Sequence, residues 1–218
     1  MHYLDQETKR SREMDVLALH TDYSGVFRII FLIECKSSKK PWILLSSPDV
    51  LSGHNRMFAF AVSSYQARCA MSNHLMELLA DLTWFKKAGV TGYSLRQAFS
   101  DIDSAYAAAI TLAKASASFT PDQESRVWQI SLVFPVLVVD SPLVQCMLNA
   151  QGHPETKEIE EGEFLFQSDP PEAFSTCIRV ITLARLPAFA SEAKRIAEYL
   201  QKQFTSEIEE ALQAIVGE

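Results

Sequence analysis

Residues 13–36 read EMDVLALHTDYSGVFRIIFLIECK, and the reading of this stretch decides the fold. From Val26 to Cys35 the run is β-branched and aromatic, the composition of a strand, while Glu13 to Leu19 is shorter and partly alternating. Asp22 to Gly25 separates the two with turn residues, so a β-hairpin is expected. Residues two apart on a strand point to one face, which pairs Glu34 with Lys36 and sends Cys35 to the other, expected core, side. The same parity groups Glu13 with Asp15 and sets Met14, Val16 and Ala18 opposite. In a paired hairpin, Asp15, Glu34 and Lys36 then converge at one end of the sheet.

Outward from the hairpin, a basic turn leads to a third strand at Trp42 to Ser46. Apolar residues at helical spacing from about Asn55 to Phe85 predict one or two helices, with a break near Ser72-Asn73. Ser100 or Asp101 is a candidate cap for the helix through AYAAAITLAKASA, which ends before Pro121. Trp128 to Val139 reads as a buried strand, with Pro135 marking a bulge or an edge. Shorter strands are expected at Leu143–Asn149, Gly162–Gln167 and Ser175–Leu183, and a helical region at about 187–215. Without repeat or linker, residues 1–218 are expected to form one α+β (α/β) domain, a central mixed β-sheet flanked by helices.

Composition narrows the function. With 218 residues, 48% hydrophobic and 22% charged, the chain is neither disordered nor fibrous. Its net charge of −7 excludes a protein that is basic throughout, but the whole excess falls in residues 152–218, and residues 1–40 carry +1. Four cysteines, Cys35, Cys69, Cys146 and Cys177, show neither zinc-ligand nor disulfide-framework spacing, which suits a reducing, intracellular setting. The apolar runs are too short to span a membrane and the N-terminus lacks a signal-peptide core, so a soluble, cytoplasmic protein is expected. There is no phosphate-cradling glycine loop, no nucleophile elbow and no metal-ligand histidine spacing.

What remains is the acid–Lys constellation. The pattern [DE]xK occurs four times, at Glu7–Lys9, Glu34–Lys36, Glu155–Lys157 and Glu192–Lys194. Only Glu34–Lys36 ends an apolar strand that follows another carrying its own Asp. Two carboxylates at such a point offer oxygen ligands suited to Mg²⁺ or Mn²⁺, and an adjacent lysine can orient water and offset phosphodiester charge. The plainer alternative is a surface hairpin whose charges form an ordinary ion pair. Glu13 is a solvated acid or an Arg12 partner, or else a support of the site. Lys9, Arg10, Arg12, Lys39 and Lys40 are turn charges or phosphate contacts.

Arg-Glu-Met-Asp-Val at 12–16, the apolar Phe-Leu-Ile at 31–33 and Glu-Cys-Lys at 34–36 resemble the PD-(D/E)XK nuclease superfamily, the restriction-endonuclease-like fold. The likeness covers roughly the first 50 residues; the later helices and VFPVLVVD are compatible with the family's αβββαβ core. It implies Asp15 and Glu34 as metal ligands, the Cys35 carbonyl as a third, and Lys36 assisting the attacking water. It further implies a Mg²⁺- or Mn²⁺-dependent enzyme that hydrolyses DNA phosphodiesters with metal-activated water. Met14 stands where the family's motif has its leading Pro. Only 14 residues precede Asp15, so the family's first helix is not expected here, and either a truncated start, a second copy or partner chain, or another element is expected to account for that face. A catalytically idle binding or assembly module on the same fold is the second reading.

Overall fold

The structure is a computed structural model of the chain, and it describes residues 2–4, 10–54, 56–82, 84, 90–101, 103–120, 128–167 and 175–216. Two strands form its spine. Strand β4 (Phe27–Lys36) and strand β8 (Ile130–Val139) run parallel in unbroken register from Phe27↔Ile130 to Lys36↔Val139. Their β-branched and aromatic residues fit a strand covered on both faces, and all ten residues of β8 are buried.

The expected hairpin is present: β3 (Val16–Thr21) pairs antiparallel with β4, Val16 opposite Ile33 and Thr21 opposite Arg28. Asp22 closes its turn by accepting from the Phe27 N–H at 2.9 Å and from Ser24, with Gly25 in the left-handed region at φ 75°. The strand begins later than expected, however. Ser11–Glu13 forms a separate strand, β2, which pairs with β1 (His2–Leu4) in a two-stranded ribbon.

The main sheet has ten strands. Trp42–Ser47 (β5) does not lie beside β4; it pairs with Thr91–Gln97 (β7) and with Leu143–Leu148 (β9). The order continues from β9 to Pro154–Ile159 (β10) on one side. On the other it runs from β7 through Glu161–Gln167 (β11) and Ser175–Thr182 (β12) to β8, β4 and the edge strand β3. Besides the two-residue Val62–Ser63, inside the expected helical stretch, two strands of this sheet went unread in the sequence: β7 is mostly polar, TGYSLRQ, and β10 is the exposed acidic PETKEI. Both are strands because partners take their backbone groups, not because their side chains alternate.

Pro135 lies in the middle of β8, neither at an edge nor at a bulge. The Ile130 and Asp140 amides donate to β4, to Val26 and Lys36, so even-numbered amides of β8 face β4 and odd-numbered ones the opposite side. There Val62–Ser63 (β6) pairs with Val133 and Leu132, and β12 takes over from Val136. Pro135 falls between these two partners, where a missing N–H costs nothing.

Both faces of β4 are covered. Phe27, Ile29, Phe31 and Ile33 pack with residues of α2 (Tyr65–Asn73), α3 (Leu75–Asp81), α5 (Leu186–Gln203) and α6 (Thr205–Val216). The short α1 (Arg56–Ala59) precedes β6. The expected single C-terminal helix is broken at Phe204, and the break between α2 and α3 falls at His74, one residue past the expected place. On the other face Ile30 and Leu32 pack with Ala105, Ala108 and Leu112 of α4 (Ser104–Ser118), capped by Asp103, and with Tyr3 and Met14. The β1–β2 ribbon is thus part of the cover on the Glu34 face, its Tyr3 hydroxyl donating to the Thr111 carbonyl at 3.3 Å.

Candidate functional site

The ladder between β3 and β4 stops at Val16↔Ile33, one step short of an Asp15–Glu34 pair. The Asp22 amide donates to the Phe27 carbonyl, so hydrogen-bonded pairs fall at every second position and the next would join Met14 and Cys35. That bond is replaced. The chain bends at Met14–Asp15, and the Asp15 Oδ2 accepts from the Cys35 backbone N–H at 2.7 Å.

The bend corrects two expectations. Met14 is only 1% exposed and packs with Ile30 and Leu32, whereas Val16 is 45% exposed, so the two do not share a face. Glu13 is exposed in the β1–β2 ribbon, paired with His2, and is not brought to Asp15 by strand parity. The third concerns the core side: Cys35 is exposed and Glu34 is buried at 8%. Since helices cover both faces of β4, burial at its end depends on which cover reaches further, and that is the cover containing Met14.

Lys36 Nζ donates to Glu34 Oε1 at 2.6 Å, with side chains 32% and 11% exposed. The Cys35 thiol is pushed above its usual range by partial burial and by the Asp15 and Glu34 carboxylates, against the opposing Lys36. Asp15 Oδ1 and Glu34 Oε2 accept no hydrogen bond among the described residues. The Cys35 carbonyl faces the same strand edge as its amide, because a residue's N–H and C=O point the same way in a ladder. Two carboxylates and a carbonyl form an oxygen donor set of the kind a hard divalent cation takes. Among the described residues no three His, Cys, Asp or Glu side chains cluster in a metal-binding arrangement. Any ion here would complete its shell with solvent or substrate oxygens.

Sequence reasoning missed Asp140. It follows β8 directly, its amide donating to the Lys36 carbonyl at 3.4 Å. Its carboxylate accepts from the Ser37 hydroxyl at 2.5 Å and the Ser38 amide at 2.8 Å. These bonds hold it below the usual carboxylate range. The signal was present: VLVVD, like FLIE, is a buried strand ending in an acid.

Through Asp140 the turn that carries Lys39 and Lys40 is fixed beside Lys36. Ser141 donates to the Lys40 carbonyl at 2.9 Å, and the Lys40 ammonium donates to the Phe99 carbonyl. Lys39 is exposed, as are Arg10 and Arg12; Lys9 lies outside the described residues. Among the described residues no helix is long and apolar enough to cross a membrane. Comparison with protein-family models, with curated proteins and with solved structures finds no match to this chain.

Proposed function

We propose that the chain is a divalent-metal-dependent nuclease that hydrolyses DNA phosphodiester bonds. The observation that carries this reading is the meeting of Asp15, Glu34 and Lys36 at the end of the β3–β4 ladder. A buried acid and a bent strand both cost stability, and here Asp15 takes the Cys35 amide while the two residues flanking Cys35, Glu34 and Lys36, pair with each other. Asp15, Glu34 and the Cys35 carbonyl would hold Mg²⁺ or Mn²⁺, which when bound supplies Lewis-acid activation of water and neutralises phosphate charge. Lys36, already oriented by Glu34, places a positive charge where a water or a phosphate oxygen would approach. Glu34 sets the position of that ammonium. The turn held by Asp140 presents Lys39 and Lys40 to the strand's phosphates.

The test is cleavage of supercoiled plasmid by purified protein with Mg²⁺ or Mn²⁺. Chelation is expected to stop it, and Lys36→Ala to slow it by about 10²–10⁴-fold. Cleavage that survives Lys36→Ala contradicts the reading.

One observation favours a catalytically idle binding module instead. In the Glu34–Lys36 pair each side chain neutralises the other, as in an ordinary ion pair of a hairpin. A protein that binds DNA but neither takes up Mn²⁺ nor cuts would be this module.

A further inference from the structure

Phe99 is the most conspicuous side chain near the site that the proposed chemistry leaves without a task. It is 88% exposed, and its φ of 53° places a bulky aromatic residue in the left-handed region, where only glycine sits without strain. A lone exposed aromatic is ordinary. One held out by a strained backbone is not, because the fold would gain by placing glycine there.

The surroundings say what it faces. The chain leaves β7 with the Ala98 amide donating to the Pro41 carbonyl at 2.9 Å, and the Phe99 carbonyl then receives the Lys40 ammonium. Phe99 is therefore tied to the turn 37–41. That turn follows Lys36 directly, and the four steps of chain from Lys36 to Lys40 span at most about 14 Å. An exposed ring, two exposed lysines and the Asp15–Glu34–Lys36 group thus lie within reach of a few nucleotides of one strand. Proteins that hold single strands combine a cationic track for the backbone with aromatic rings on which bases stack.

We infer that Phe99 is a stacking platform for an unpaired base of the DNA strand that enters the site, so that the preferred substrate is single-stranded or locally unpaired DNA. The inference rests on the nuclease reading for the identity of the strand, and on Phe99 for its unpaired state. A duplex offers no free base face, and its binding gains nothing from the ring.

The test is fluorescence anisotropy with a labelled single-stranded oligo-dT and a duplex of equal length, in EDTA so that nothing is cut. Wild type is expected to bind the single strand more tightly. Phe99→Ala is expected to weaken single-strand binding by about 5- to 100-fold with little change for the duplex, and Phe99→Trp to retain it. Phe99→Gly should lose the single strand while raising the melting temperature by about 2–4 °C, because glycine relieves the left-handed backbone, so that the loss of binding is not a loss of fold. Equal affinity of wild type and Phe99→Ala for oligo-dT, no single-strand binding by wild type, or an equal loss on both DNAs would overturn the inference. The nuclease reading fails separately: a chain that stacks oligo-dT on Phe99 yet never cuts DNA with Mg²⁺ sinks that reading and keeps the platform.

Discussion

Glu34 is the residue on which the account turns. It lies near the end of a strand of nine other residues of which six are apolar and buried, and it is itself only 8% exposed. Its charge is tolerable there because Lys36 Nζ is 2.6 Å away. Lys36→Ala should therefore cost about 1–2 kcal/mol, more than an exposed ion pair would, because it leaves a buried carboxylate unpaired. Adding Glu34→Gln should recover part of that loss, which urea unfolding of the single and double variants measures. The sequence located Asp15, Glu34 and Lys36 correctly at the end of one hairpin, since alternation and turn residues suffice for that. It misplaced Glu13 and the core side of Cys35, because strand parity assumes a straight strand with one covered face. Met14 is drawn into the core, the strand bends, and parity is lost at Asp15.

At the scale of elements, two junctions carry predictions. Pro135 sits in β8 where the neighbouring edge passes from β6 to β12. Pro135→Val should change stability by no more than about 1 kcal/mol, whereas Val136→Pro would remove an amide that faces β4 and should cost about 3 kcal/mol. Chemical denaturation of the two variants checks this. The second junction joins the break between α2 and α3 to the break between α5 and α6. His74 meets Glu207 at 3.0 Å and packs its ring 5.7 Å from Phe204. Burial pushes the Glu207 carboxyl up, but hydrogen bonds from Asn73, Ser206 and His74 outweigh it and hold Glu207 below its ordinary 4.5. A carboxylate lowered on folding contributes stability above its unfolded value and loses it as pH falls through the folded one. Glu207→Gln should accordingly be less stable than wild type near pH 7, with the difference shrinking as pH drops below about 4.5. Thermal melts across pH 3–7 read that convergence.

For the whole molecule, one sheet joins two parallel pairs of strands. The segments that run parallel as β4 and β8 run parallel again as β5 and β9, while β7, β11 and β12 fill the path between. Packing across β5, β7 and β11 is tight at Leu44, which reaches toward both Gly92 and Gly162. A Cβ at Gly92 would meet Leu44 Cδ1 at 2.5 Å, Phe164 Cβ at 3.0 Å and the Glu163 carbonyl oxygen at 3.1 Å. At Gly162 it would meet only the ends of the Leu44 and Ile159 side chains. Gly92→Ala should cost about 1–3 kcal/mol and Gly162→Ala less, as their urea midpoints would show. None of this strand order was legible in the sequence, because it depends on long-range pairing of polar strands such as β7. The elements that carry the candidate site were legible, because β4 and β8 are apolar runs that lead into Glu34 and Asp140 and β3 is an apolar run that follows Asp15. Calorimetric titration of the intact chain with Mn²⁺ tests most directly whether those runs meet to make an ion site. The account predicts one ion per chain, with affinity lowered about tenfold or more by Asp15→Asn and by Glu34→Gln and unchanged by Glu13→Gln. Absence of binding, or binding indifferent to Glu34→Gln, would contradict it.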